Sequence, residues 1–258
     1  MLTGKKIVII GGTTGIGLSA ALAFVKNNAQ IICVGRNQDS AEKAAALLKN
    51  NAKVLTGDAA EEGTAQKAIE ACIETFGGFD GLYHVAGGSG RSFGDGPLHE
   101  FTTKGWEQTL RLNLTSVMLS NQAAVKQFLK QHTGGSILNM GSVLANSPSP
   151  KYFATHAYAA AKSAIIGFSK SIASYYAKNN IRVNVIAPAL VETPMAKRAA
   201  ENETILSFIK DKQPLDGGRI GYASDLDGLA LYFMSDYSKF TTGQLIAVDG
   251  GWSVSDNK

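Results

Sequence analysis

Cysteine is almost absent from this chain of 258 residues: only Cys33 and Cys72 occur, and they have no CxxC spacing. Two such residues cannot build a disulfide framework, and a reducing, cytoplasmic setting is the expectation. A dominant charge sign is missing as well. The 25 Lys and Arg residues against 21 Asp and Glu leave a scattered excess of +4, with Lys5-Lys6 the only adjacent basic pair near either end. No basic stripe follows a nucleic-acid backbone, so nucleic acid is not expected as a partner. The four histidines, His84, His99, His132 and His156, lack close metal-ligand spacing and read as surface or packed side chains. Long apolar runs are missing too. Near the start only Ile7-Val8-Ile9-Ile10 stands before Gly11-Gly12, too short for a signal-peptide core or a membrane span. No metal and no membrane are therefore expected.

What is present is an ordinary globular composition, 45% hydrophobic and 18% charged, long enough to bury a substantial core in one domain spanning 1–258. Short Val- and Ile-rich runs alternate with helical patterns. Strands are expected at 6–11, 30–35, 53–56, 79–86, 136–140, 182–186 and 244–248. Helices are expected at 15–28, 41–50, 61–76, 103–131 and 155–178, with Asp39 capping the second. Apolar strands each followed by a helix predict an α/β fold: a single doubly wound parallel sheet of Rossmann type, covered on both faces. A helical excursion over about 190–213 interrupts this rhythm and is expected to fold over substrate as a lid. Ligands in such sheets sit beyond the carboxyl ends of the strands, so the residues there are the ones that matter.

The first strand runs into Gly11-Gly12-Thr13-Thr14-Gly15-Ile16-Gly17 and then a helix. Glycines at a strand-to-helix turn let backbone N–H groups approach a pyrophosphate. The second strand ends in Gly35-Arg36-Asn37 with no acid. An acid there binds a ribose hydroxyl, whereas arginine accommodates a 2′-phosphate, so Arg36 argues for NADP(H) over NAD(H) unless it is simply a solvated side chain. Tyr158 and Lys162 lie four apart on one helix face, and Ser142 directly follows the fifth strand. A phenol is a poor base at neutral pH unless a nearby cation favours its phenolate, and Lys162 supplies that cation. A serine hydroxyl beside it polarises a substrate carbonyl. Arg91, in the glycine-rich stretch 87–96, either binds an acidic substrate or faces water.

Taken in order along the chain, these residues resemble the classical short-chain dehydrogenase/reductase family over nearly its whole length. The glycine turn, Asp58 at the third strand end, Ala86-Gly87, Asn113, Ser142, Tyr158/Lys162, Pro188-Ala189-Leu190-Val191-Glu192-Thr193 and Val248-Asp249-Gly250-Gly251 all fall in register. The resemblance implies that Tyr158 is the general acid/base, Lys162 binds the nicotinamide ribose, Ser142 orients the carbonyl, and Asn113 holds a water that relays protons. It implies that Gly11, Thr13, Thr14, Gly15, Ile16 and Gly17 bind the pyrophosphate side, and Asp58 and Ala59 the adenine. Ala86, Gly87, Pro188, Val191 and Thr193 complete the cofactor site. Leu144, Phe153, Leu190 and Met195 line an apolar pocket or pack as core.

Four residues depart from the family pattern. Ile10 stands where Thr is usual, His84-Val85 where Asn-Asn is usual, and Ala189 replaces a glycine. Loss of both polar partners between the first and fourth strands predicts that apolar packing and backbone contacts hold them instead. The expected activity is interconversion of a small or medium-sized carbonyl and alcohol by hydride transfer. The alternatives are a non-catalytic NADP-binding redox sensor and reduction of an enoyl C=C bond. The charge-poor helices around 110–129 and 155–178 predict a homotetramer.

Overall fold

Each Val- and Ile-rich run becomes a strand, and the seven strands pair in parallel in the order β3-β2-β1-β4-β5-β6-β7. They are β1 (Lys6–Ile10), β2 (Gln30–Gly35), β3 (Ala52–Thr56), β4 (Gly81–His84), β5 (Gly135–Met140), β6 (Ile181–Pro188) and β7 (Leu245–Val248). The computed structural model describes residues 1–255, so the end of the expected domain, 256–258, lies outside the described residues. The helices are α1 (Gly15–Lys26), α2 (Gln38–Leu48), α3 (Thr64–Phe76), α4 (Thr103–Leu110), α5 (Ser116–Gln131), α6 (Pro150–Phe153), α7 (His156–Tyr176), α8 (Lys197–Ala200), α9 (Glu203–Lys212) and α10 (Asp227–Met234).

Alternate residues of a strand point to opposite faces, so one apolar run feeds two cores. Ile7 and Ile9 pack with Phe24 of α1 and Phe233 of α10; Val8 and Ile10 pack with Ile69 of α3 and Phe128 of α5. Each large apolar side chain fully buried this way contributes about 1.5–3 kcal/mol. A third, smaller core joins Val143 after β5, Ile205 and Ile209 of α9, and Trp252 near the C-terminus. The 190–213 excursion carries α8 and α9, which pack on this third core, while Val191 near its start joins the core of Phe24 and Phe233.

Two local expectations change. Asn37, not Asp39, caps α2: its side chain accepts from the Ser40 amide at 2.9 Å, and Asp39 falls in the first turn, where a negative charge suits the helix dipole. The expected helix 103–131 is not continuous. A π-helical turn at Arg111–Thr115 separates α4 from α5, with the buried Asn113 at its centre. Such turns re-aim the backbone within a helix and cluster at functional sites. No helix among the described residues is long and apolar enough to cross a membrane.

The chain runs outward from β1 through β2 to β3, then crosses back to β4 on the other side of β1. This reversal opens a crevice at the carboxyl ends of β1 and β4, where open α/β sheets hold their ligands.

Candidate active site

A cleft of about 410 Å³ occupies that crevice and continues across the ends of β5 and β6 to the 190–213 excursion. Its walls begin at the β1–α1 turn. Gly11 has φ +90°, and a Cβ there would come within 2.6 Å of the Ala86 amide nitrogen. A Cβ at Gly17 would collide with the Gly11 carbonyl, so Gly17 serves close packing and, unlike Gly11, Thr13, Thr14, Gly15 and Ile16, does not line the cleft. The first turn of α1 carries no acidic residue, leaving the positive end of the helix dipole open toward the cleft.

The missing Thr and Asn of the family pattern are replaced by backbone. The Ile10 carbonyl accepts from both the Val85 amide, at 2.8 Å, and the Ala86 amide, at 2.9 Å. His84 is fully buried beside this junction. Its Nε2 pairs with the Ala86 carbonyl at 3.1 Å and its Nδ1 with the Ser120 hydroxyl at 2.7 Å. Burial, and then the charge of Lys162, lowers its pKa to about 3, so the ring is neutral and structural at working pH.

At the far end of the cleft stand Arg36, just past β2, and Asp58 with Ala59, just past β3. Arg36 is exposed and, among the described residues, has no carboxylate within 4.0 Å. Asp58 is occupied locally, its side chain accepting from the Ala60 amide at 2.9 Å.

The other end gathers Ser142, Tyr158 and Lys162. Ser142 is buried just past β5, its hydroxyl accepting from the Leu144 amide at 3.2 Å, and it lines the cleft with Tyr158. Lys162 is 3% exposed, donates from Nζ to the Met140 carbonyl at 2.8 Å, and sits 5.5 Å from the centroid of the Tyr158 ring. Burial lowers the Lys162 pKa to about 8. Burial raises the Tyr158 phenol above its ordinary value, and the nearby Ser142 hydroxyl opposes the rise.

Asn113 does not line the cleft. Its side chain spans the Gly88 backbone, accepting from the amide at 3.1 Å and donating to the carbonyl at 2.9 Å, with a second donation to the Thr109 carbonyl at 3.0 Å. It pins the loop after β4 to the π-turn, directly behind Gly87, where a Cβ would meet its Oδ1 at 2.7 Å.

Ala86, Gly87, Pro188, Val191 and Thr193 line the cleft between these ends. Leu144, Phe153 and Leu190 both line it and pack on the third core, while Met195 stands 54% exposed at its mouth. Three contributors had no motif to reveal them. Asp95 is buried and accepts the amides of Ala157, at 2.9 Å, and Tyr158, at 2.8 Å, so the glycine-rich loop caps α7 at the phenol itself. Trp252 closes the wall from the C-terminal segment, donating to the Ser147 carbonyl at 3.1 Å. Arg198, on α8, completes the mouth. Only the lone acid in a glycine-rich stretch offered a hint, for Asp95.

A glycine turn at the sheet crevice, a helix end free of acids, and a Ser–Tyr–Lys group at the opposite end define the site of a dinucleotide-dependent oxidoreductase. A family model described as enoyl-(acyl carrier protein) reductase matches residues 11–253. A 2-dehydro-3-deoxy-D-gluconate 5-dehydrogenase of Dickeya dadantii is 32% identical over 253 residues, covering 97% of this chain and 96% of that protein. An NADP-dependent (R)-specific alcohol dehydrogenase of Lentilactobacillus kefiri is 31% identical, with 98% of each chain covered. Among solved structures, a short-chain type dehydrogenase/reductase from Mycobacterium ulcerans superposes with a TM-score of 0.88 at 28% identity, covering 99% of this chain and 92% of that one. The chain belongs to the short-chain dehydrogenase/reductase family.

Proposed function

We propose that this protein is an NADP(H)-dependent oxidoreductase that interconverts a carbonyl and an alcohol on a small or medium-sized substrate. The observation that carries the reading is the meeting of Ser142, Tyr158 and Lys162 in one cleft that starts at the β1–α1 glycine turn. The residues present fit a dinucleotide: Gly11 leaves the space a Cβ would fill, α1 presents an N-terminus free of acidic residues, and Arg36 has no carboxylate partner among the described residues. Gly11, Thr13, Thr14, Gly15 and Ile16 would hold the pyrophosphate, Asp58 and Ala59 the adenine, and Pro188, Val191 and Thr193 the nicotinamide end. The bound nicotinamide supplies or accepts the hydride.

Tyr158 moves the proton at its Oη, and Ser142 donates to the substrate oxygen and orients it. Lys162 favours the phenolate by its charge, while Asn113 and Asp95 fix the loop and the helix start that frame them. The spacing of Tyr158 and Lys162, with Ser142 in the same cleft, favours carbonyl over enoyl chemistry. Residues 190–213 serve as the substrate lid of one domain. The two relatives act on a dehydrodeoxygluconate and on alcohols, so they do not choose the substrate. A panel of ketones and aldehydes assayed by NADPH absorbance tests the activity; absence of turnover across the panel would favour the sensor.

Cofactor choice has its own test. A charge-assisted contact between Arg36 and the 2′-phosphate contributes about 1.5–3 kcal/mol, or roughly ten- to hundred-fold in affinity. NADPH is expected to bind tighter than NADH by that factor, and Arg36→Leu to erase the difference, by fluorescence titration. Equal or tighter NADH binding by the parent would overturn the assignment.

The same reading includes a cytoplasmic homotetramer. Cys33 and Cys72 are both buried and free, which suits a reducing compartment. On α7 the outward positions Ser163, Ala164, Gly167 and Ser171 are all small and exposed, a face on which a second helix can approach closely. The edge strand β7 is apolar yet leaves Ile246 37% exposed, an unpaired edge that a partner would cover. Light scattering at micromolar protein should return four times the chain mass, and a clean monomer would remove the argument.

A further inference from the structure

Two arginines at the mouth of the cleft have no use in the chemistry described so far. Arg91 lies in the loop after β4 and Arg198 on α8 of the lid segment, and both line the cleft. Their guanidinium groups converge on one atom, the carbonyl oxygen of Tyr152: Arg91 Nη2 donates to it at 3.1 Å and Arg198 Nη2 at 3.5 Å. Two like charges thus stand side by side on a neutral acceptor. Among the described residues neither has a carboxylate within 4.0 Å. The carboxylate that the Arg91 loop carries, Asp95, is buried and already spends one oxygen on the Ala157 amide and the other on the Tyr158 amide. Partial burial, then the charge of Arg198, lowers the Arg91 pKa, against the pull of Asp95.

Juxtaposed like charges cost free energy unless an anion neutralises them. The chain as a whole has an excess of only +4, so this pair is not part of a generally basic surface. Nor does it belong to the cofactor end. Tyr152 falls between Ser142 and Tyr158 in the chain, whereas Arg36 and the α1 turn stand beyond β1 and β2. Each guanidinium still has donors to spare after its single bond to Tyr152, and a planar fork matches an oxyanion in two-point contact.

We propose that Arg91 and Arg198 form an anion clamp, and that the natural substrate carries a compact oxyanion, carboxylate, sulfonate or phosphate, set apart from the reacting carbonyl. This rests on the carbonyl/alcohol reading above and narrows its substrate class. One arginine comes from the loop that caps α7 and the other from the lid, so binding the anion also draws the lid onto the site.

The test compares levulinate with methyl levulinate, which share the ketone and its carbon chain and differ in the charge and one ester methyl, and adds acetonylsulfonate and hydroxyacetone phosphate to rank the oxyanions. The parent should favour levulinate over the ester by about ten- to hundred-fold in kcat/KM, chiefly through KM, and rising salt should shrink the preference. In Arg91→Gln/Arg198→Gln, where glutamine keeps an N–H for the Tyr152 carbonyl, the ratio of acid to ester should fall to near one. A parent that handles acid and ester alike, or a double variant that keeps the ratio, would overturn the clamp. So would a double variant whose NADPH affinity drops while the ratio holds. If the double variant does not fold, the single variants and the salt titration of the parent decide in the same way. If no substrate is turned over at all, it is the carbonyl/alcohol reading that fails. Calorimetric titration with levulinate then still decides the clamp: binding by the parent that the arginine variants lose supports it, and no binding overturns it.

Discussion

Tyr158→Phe should lose about 10²- to 10⁴-fold in turnover, the usual contribution of a positioned proton donor, while folding and cofactor binding stay close to those of the parent. The hydroxyl is the only group removed, and the Ser142 hydroxyl in the same cleft still accepts from the Leu144 amide and so is not orphaned. The phenyl ring retains its packing and its contact with Lys162. Burial alone makes Tyr158 a weaker acid than free tyrosine, so the residue is not activated by its position in the protein fabric. Its proton transfer depends on the Lys162 charge, on Ser142 and on what binds beside it. Steady-state rates, thermal unfolding and NADPH titration on the same preparation separate these effects. Activity within a few-fold of the parent would remove Tyr158 from the role of acid/base.

The fold was legible because its signals are local and redundant. Apolar runs such as Ile7–Ile10 have few ways to be buried except as central parallel strands, and each is followed by a helix-length pattern. Ser142, Tyr158, Lys162 and Arg36 were legible because the topology sends strand ends to one edge, so residues placed there by sequence share a cleft. What sequence did not reveal depends on contacts between distant segments. Asp95 caps a helix that starts only after α4, α5, β5 and α6, and beyond its being the lone acid in a glycine-rich stretch nothing near position 95 announces it. Trp252 reaches Ser147 from the other end of the chain. The π-turn at Asn113 has no composition signal, since Arg111–Thr115 reads as ordinary helix. The side-chain bonds of Asn113 to Gly88, seen only in three dimensions, explain what that turn presents.

Lys162→Met is expected to lower turnover by about 10²- to 10³-fold, the scale of removing one preorganised electrostatic group, and at the same time to make the protein more stable. The sign follows from linkage. The ordinary lysine value is 10.5 and burial brings Lys162 down to about 8, so the unfolded chain holds this proton more tightly than the folded one. Above the ordinary value the group costs nothing. As pH falls from about 10.5 toward about 8 the cost of charging it accumulates, and below that it is constant. At neutral pH it amounts to roughly 3 kcal/mol. Methionine fills similar volume without a charge, but leaves the Met140 carbonyl without its 2.8 Å donor, which takes back about 1–3 kcal/mol. The net gain at pH 7 is therefore small, and the decisive measurement is its pH dependence. In urea unfolding, the stability of the variant relative to the parent should decline by about 2–3 kcal/mol between pH 7 and pH 10.5, as the parent sheds its buried charge. A difference that stays flat over that range would mean that burial does not depress the Lys162 pKa and that its charge costs the fold nothing. The stability gain expected of the methionine variant would then be lost, while the ammonium beside Tyr158 would remain charged at working pH.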